Sequence, residues 1–268
     1  MTRVRPTHFL SLPFGVHHPE LRARAHEALA CMRDGDELPQ GVDNSIFIAP
    51  IRLHLTLGVM RLIESPPSTR HGRQQAALPT IAQAVELLQS CQNQVQEALA
   101  GQPLKVHFKG LHSFQQHPDK CHVLYGVPAD PSHEDGRIKA VCDIVYHRFR
   151  EGGYILDNAR DYTLHLTLMN SSHRKAPRGV KLSKKRIAFD ASKLLGPDAE
   201  PNNVDLGMYM APELCIARMG SHAENGAYVT FGGIPLVPPL VEREDSDLAG
   251  SSEEQPYGRQ KENMLKDS

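Results

Sequence analysis

Two histidines and two threonines recur at one spacing, His54-Leu55-Thr56 and His165-Leu166-Thr167, each inside an identical apolar frame, Leu53 to Leu57 and Leu164 to Leu168. An unperturbed imidazole titrates near ~6.5, so at neutral pH one copy can take a proton while the other gives one. A hydroxyl two residues further on can donate a hydrogen bond to an anionic oxygen held beside the ring. Two such sets facing each other supply a base, an acid and two phosphate donors. That is enough to hold a phosphorus atom in line for transfer without a metal or other cofactor. His54 and His165 are therefore the catalytic candidates, and Thr56 and Thr167 the phosphate-binding ones. Identical copies leave open which histidine is the acid.

Residues that must act together need elements to present them, and the alternation Leu-His-Leu-Thr-Leu has the period of a half-buried strand. The leucines then face a core, and His and Thr project from the opposite face. Ahead of the first copy, Pro6 to Phe14 reads as a strand. A helix follows it, with Pro19 in its first turn and Leu21, Ala25, Leu29 and Met32 along one side. Thr80 and Gln83 form a capping-box signature, opening a helix whose stripe of Ile81, Val85, Leu88, Val95 and Leu99 ends at Gly101. Strands are expected at Leu104 to Phe114 and Cys121 to Val127. A helix from about Gly136 to Glu151, stopped by Gly152-Gly153, leads to the second copy. Beyond it lie a basic loop from Arg174 to Arg186, a short helical turn near Leu195, and strands at Val204 to Met210, Leu214 to Met219 and Ala227 to Leu236. The order strand, helix, His-x-Thr strand occurs twice, which predicts an α/β protein of two duplicated lobes related by a pseudo-twofold, with both histidines in the groove between them.

The chain has 268 residues, of which 40% are hydrophobic, enough for a substantial core, and its lack of Trp makes that core largely aliphatic. Thirty Lys and Arg against 31 Asp and Glu leave a formal charge of -1, too little for duplex binding by bulk electrostatics. A small or single-stranded anionic ligand remains compatible. Five scattered cysteines without a Cys-x-x-Cys pair read as reduced thiols of an intracellular protein, in the nucleus or cytoplasm. No apolar run approaches a membrane span, so no membrane partner is expected. From residue 239 to 268 few apolar residues and many charges predict a disordered tail.

The His-Leu-Thr-Leu copies resemble the paired signatures of the two-histidine phosphoesterases. THFLSLP, GVDNSIFIAPIRLHLTLGVM, LKVHFKGLHSF, HVLYGVP, YTLHLTLMNS and FDASKLL resemble the A-kinase anchor protein 7-like phosphoesterase domain, over roughly residues 4–236. The resemblance implies an RNA ligase-like fold with a central groove. It implies action on, or binding of, RNA 2′,3′-cyclic phosphates or 2′,5′-linked phosphodiesters, with an AMP- or CMP-like nucleotide as ligand. It assigns catalysis to His54 and His165 and phosphate binding to Thr56 and Thr167. A transcription-coactivator or RNA-processing complex is an expected setting. No KH module is expected ahead of the domain, and no amphipathic kinase-anchoring helix is evident in the tail.

Three other readings compete with this one. His107, His112, His117, Cys121 and His122 crowd together, but their irregular spacing does not match a zinc site. No Gly-x-Ser-x-Gly elbow supports a serine hydrolase. The serious alternative is a non-catalytic nucleotide- or RNA-end-binding module within a complex.

Overall fold

The computed structural model describes residues 4–35, 37–65, 78–128, 136–156, 161–176 and 186–237. The 239–268 tail therefore lies outside the described residues, as do Lys181, Lys184 and Lys185 of the basic loop. The strands are β1 (His8–Pro13), β2 (His54–Met60), β3 (Lys105–Ser113), β4 (Val123–Pro128), β5 (Leu166–Asn170), β6 (Asp205–Met210), β7 (Glu213–His222) and β8 (Tyr228–Pro235). The helices are α1 (Pro19–Ala28), α2 (Ala30–Arg33), α3 (Ile81–Ser90), α4 (Gln92–Leu99), α5 (Arg137–Glu151) and the single turn α6 (Ser192–Leu195).

All eight strands join one antiparallel sheet in the order β6-β3-β4-β5-β2-β1-β7-β8. The two expected lobes are its two halves, β5-β4-β3-β6 and β2-β1-β7-β8. The His-x-Thr strands lie side by side at the seam, and the three late strands complete the outer edges of both halves.

Helix boundaries follow the local chemistry. Thr80 accepts from the Gln83 amide at 3.2 Å while the Gln83 side chain accepts from the Thr80 amide at 2.9 Å, closing the capping box. The stripe expected to form one helix is divided between α3 and α4 at Cys91, whose buried thiol donates back to the Leu87 carbonyl at 3.4 Å. A side-chain donor on the preceding turn competes with the backbone ladder there. On α5, Ile138, Val141, Val145 and Phe149 are buried, as the periodicity predicts. Of the five cysteines, Cys31 is exposed and the other four are buried free thiols.

Leu55, Leu57, Leu166 and Leu168 are all essentially inaccessible. Each buried leucine is worth about 1.5–3 kcal/mol, and a one-residue slip of either strand would turn the leucines out and the His and Thr in. Packing thus fixes which face carries the chemistry. At Gly58 the chain leaving α5 presses so close that a Cβ would stand 2.5 Å from Ile155 Cδ1. A larger residue there would require the Ile155 side chain to move.

Candidate active site

A single registered pair, Leu55 with Leu166, joins β2 to β5. Antiparallel pairing carried one residue either way sets His54 across from Thr167 and Thr56 across from His165. The four candidate residues are thus gathered around one local twofold. His54 opens β2, whereas His165 stands one residue ahead of β5 instead of inside the strand.

The same backbone device holds both rings. His54 Nδ1 lies 2.7 Å from the Arg52 carbonyl and His165 Nδ1 lies 2.7 Å from the Thr163 carbonyl, each two residues back. A carbonyl can only accept, so in the neutral ring the proton sits on Nδ1 and Nε2 carries the free lone pair. The Thr56 hydroxyl lies 3.0 Å from His54 Nε2 and donates to it. A register irregularity adjoins each threonine: between Leu10 and Ser11, where Ser11 pairs with Thr56, and between Leu124 and Tyr125, where Tyr125 pairs with Thr167. Bulges bend and re-aim strands, and their matching positions extend the twofold beyond the motif.

The surroundings break that symmetry. The His54 ring packs against Phe9 (centroids 4.9 Å apart) and Tyr228 (5.3 Å). Burial pushes its pKa down to about 4, opposed by the Arg52 carbonyl and reinforced by the positive potential of His165 and His173. At neutral pH His54 is an uncharged acceptor. His165 packs against Phe114 at 5.1 Å and Tyr125 at 5.4 Å, and Phe114 is 50% exposed. Phe114 and Tyr125 pack against each other at 4.6 Å, with His112 stacked behind Tyr125 at 6.3 Å. An open aromatic shelf therefore flanks one histidine and a closed box the other.

None of these aromatic residues, nor the two carbonyls, stood out in the sequence. The alternation places Tyr125 and Tyr228 on strands, but nothing in it marks which face meets a histidine. Two of the four histidines that crowd around Cys121 in sequence have separate partners: His107 Nε2 lies 2.9 Å from Asp205 Oδ1, and His122 Nδ1 lies 3.0 Å from Ser171 Oγ. Among the described residues no group of three or more His, Cys, Asp or Glu is placed to hold a metal ion. The described ends of the basic loop are tied into the fold. Arg174 pairs with Asp43 and donates to the Gly41 carbonyl, and Arg186 donates to Ser171 Oγ and Asn170 Oδ1. Among the described residues no helix is long and apolar enough to cross a membrane.

Residues 6–236 match the AKAP7 2′5′ RNA ligase-like domain family. The mouse activating signal cointegrator 1 complex subunit 1 is 30% identical over 208 residues, covering 70% of this chain and 52% of that protein. The chain thus spans about half the length of this relative. An uncharacterised protein of Schizosaccharomyces pombe is 24% identical over 235 residues, covering 85% of this chain and 95% of its own. Among solved structures, E. coli LigT complexed with 3′-AMP aligns with a TM-score of 0.44 at 14% identity, over 86% of this chain and 98% of LigT. TT0787 of Thermus thermophilus aligns with a TM-score of 0.45 at 15% identity, over 86% of this chain and 97% of its own. The chain belongs to the AKAP7 2′5′ RNA ligase-like domain family.

Proposed function

We propose that this member of the AKAP7 2′5′ RNA ligase-like family is a metal-independent phosphodiesterase of RNA ends or oligonucleotides, cleaving a 2′,3′-cyclic phosphate or a 2′,5′-linked phosphodiester. The observation that carries the reading is the pair of imidazoles, each held through Nδ1 on a backbone carbonyl, across one strand seam. His54, uncharged at neutral pH and with its Nε2 lone pair accepting only from the Thr56 hydroxyl, is the base. His165, in its protonated form, is the acid. His54 takes the proton of the attacking water, or of the 3′-hydroxyl beside a 2′,5′ linkage. The new O–P bond forms, the leaving O–P bond breaks, and the leaving oxygen takes its proton from His165. Thr56 and Thr167 donate to the non-bridging oxygens, and solvent restores both rings. The Phe114–Tyr125 shelf offers a stacking surface to the base of the nucleotide.

The likeness to a cointegrator-complex subunit favours a second reading, a nucleotide-binding module within a nuclear or cytoplasmic transcription or RNA-processing assembly. Incubating the full chain with 2′,3′-cyclic and 2′,5′-linked substrates, with and without a metal chelator, separates the two. Turnover that survives chelation and collapses in His54→Ala and His165→Ala supports the enzyme. Saturable nucleotide binding with no product supports the module.

A further inference from the structure

The carbonyl that ties each imidazole is itself held differently on the two sides of the seam. Arg52 closes the tight helical turn Pro50–Arg52, where its amide donates to the Ala49 carbonyl at 2.7 Å. The next residue, Leu53, is clamped by main chain: its amide donates to the Pro50 carbonyl at 3.2 Å, and its carbonyl accepts from the Phe14 and Gly15 amides at 3.0 and 2.7 Å. Main chain therefore fixes the tie to His54. Residues 161–165, by contrast, belong to no helix or strand. Among the described residues, no backbone–backbone hydrogen bond outside the helices and strands reaches residues 161–164. The Thr163 carbonyl nevertheless stands 2.7 Å from His165 Nδ1, so a side chain must place it.

That side chain lies one residue back. The Tyr162 hydroxyl donates to Asp143 Oδ1 at 2.5 Å, and the Tyr162 ring packs on Tyr146 with centroids 4.8 Å apart. Asp143 and the buried Tyr146 stand three residues apart on α5, so one face of the helix presents both. Burial opposes ionisation of Asp143, but hydrogen bonds from Lys139 and Tyr162 hold its carboxyl below the usual carboxylate range, and it stays an acceptor. The ion pair of Arg150 with Asp161, at 3.4 Å, adds little, because the Asp161 side chain is 88% exposed. Packing does not replace the hydroxyl bond either. A cavity of about 400 Å3 runs along Tyr162, Thr163 and Leu164 and leaves the segment without partner atoms on that side.

We infer that Asp143 and Tyr162 are positioning residues for His165: their hydroxyl–carboxylate bond latches the Tyr162–Thr163 backbone to α5 and so aims the carbonyl that orients the imidazole. The inference rests on the phosphodiesterase reading for its effect on rate, and extends it to two residues that act through the ring and not on the substrate. With the Thr163 carbonyl in place, the protonated ring points Nε2–H at the leaving oxygen and keeps its second proton on Nδ1 after transfer. If the carbonyl drifts, the ring turns and the neutral form takes up either tautomer.

The test follows the imidazole nitrogens by NMR on isotope-labelled full chain, at alkaline pH for the neutral rings, with His54 and His165 assigned by loss of signal in His54→Ala and His165→Ala. Wild-type His165 should show the Nδ1–H tautomer. Tyr162→Phe keeps the ring on Tyr146 and removes the donor, and Asp143→Ala removes the acceptor. Each should move the His165 nitrogens toward a mixture of tautomers while those of His54, tied through main chain, stay in place. Each should also lower kcat by roughly 10–100-fold with KM held, the scale on which a misplaced reacting group costs rate. The double variant should be no slower than the slower single one, since the same bond is lost in all three. Asp143→Asn keeps an acceptor for the hydroxyl and should restore most of the wild-type spectrum and rate. Unchanged His165 nitrogens, or unchanged kcat, in both Tyr162→Phe and Asp143→Ala overturn the latch. Equal shifts at His54 and His165 overturn it too, because they mean general loosening. Absence of turnover in wild type defeats the phosphodiesterase reading instead, and the nitrogen resonances then still decide whether Asp143 and Tyr162 orient the ring.

Discussion

His54 and His165 are held by one backbone device and placed in two different environments. On the β2 side the ring is packed between Phe9 and Tyr228, and burial pushes its pKa down to about 4. On the β5 side the ring meets an aromatic shelf whose outer member, Phe114, is half exposed. The backbone supplies equivalence and the side chains around it remove the equivalence, which is what two imidazoles need if they are to play opposite parts. A pair with equal surroundings would share protons between interchangeable states. Burial of one ring separates the roles before substrate arrives.

The strongest test of that comparison removes each histidine in turn. His54→Ala and His165→Ala should each lower turnover by about 10²–10⁴-fold, the usual size of a general acid–base contribution. Their combination should cost far less than the product of the single losses, because the two rings act as a unit. The variants should differ in the residual rate. His165→Ala keeps the acid limb that His54 sets, whereas His54→Ala loses it. Matching pH profiles for the two variants would break the comparison.

How much of this was legible in the sequence depends on which link carried it. The His-x-Thr pairs, the strand assignment and the α5 stripe were readable because they rest on local periodicity, and Leu55 and Leu166 are buried as that period requires. Adjacency of β2 and β5 was not readable, since a duplicated order of elements fits lobes that pair at the seam as well as lobes that merely face each other. The tie from each Nδ1 to the carbonyl two residues back depends on how the chain enters the strand, through a tight turn at Pro50–Arg52 in one case and an irregular stretch in the other. Identical motifs could not disclose that burial would depress the pKa of one ring. Phe9 and Tyr228 reach His54 from strands far apart in sequence, and only the sheet order brings them there.

The threonines should show a smaller effect, and one that tells the two sides apart. Thr56→Ala and Thr167→Ala each remove a hydrogen bond to a charged phosphate, worth roughly 1.5–3 kcal/mol. In the unliganded protein Thr56 also occupies His54 Nε2, so its removal frees that lone pair. Measured kcat and KM should show Thr167→Ala losing in both, with Thr56→Ala partly compensated at the base. Identical parameters for the two variants would return the site to functional symmetry.

The shelf is present on one side alone, and its removal sharpens the contrast further. Phe114→Ala should weaken nucleotide binding by about 1–3 kcal/mol, the worth of one base–aromatic stack. A ribose phosphate without a base should bind as it does to wild type, and kcat at saturation should hold. Equal weakening of both ligands would mean that Phe114 supports the loop and not a base.

The smallest effect at neutral pH belongs to the wall of the closed side, and its sign can be worked out. In wild type the acid limb of kcat/KM, which reports the free enzyme, should lie near pH 4, where His54 takes up its proton. Desolvation by its surroundings is the largest cause of that depression, and the Tyr228 ring is one of the two aromatics packed on the imidazole. Tyr228→Ala admits water, stabilises the imidazolium and raises the pKa toward ~6.5, the value of a free ring. Above pH 7 the base is uncharged in both proteins and the rates should nearly agree, whereas between pH 4 and 6.5 the variant should be the slower. Stability follows the same linkage. A histidine depressed in the folded state contributes stability that is complete above the unfolded pKa and is lost as pH falls toward 4, so the variant should lose less stability than wild type on acidification through that window. A wild-type limb near 6.5, or one that Tyr228→Ala leaves in place, would mean that the closed box does not set the protonation of His54, and the division of labour between the two histidines would need another cause.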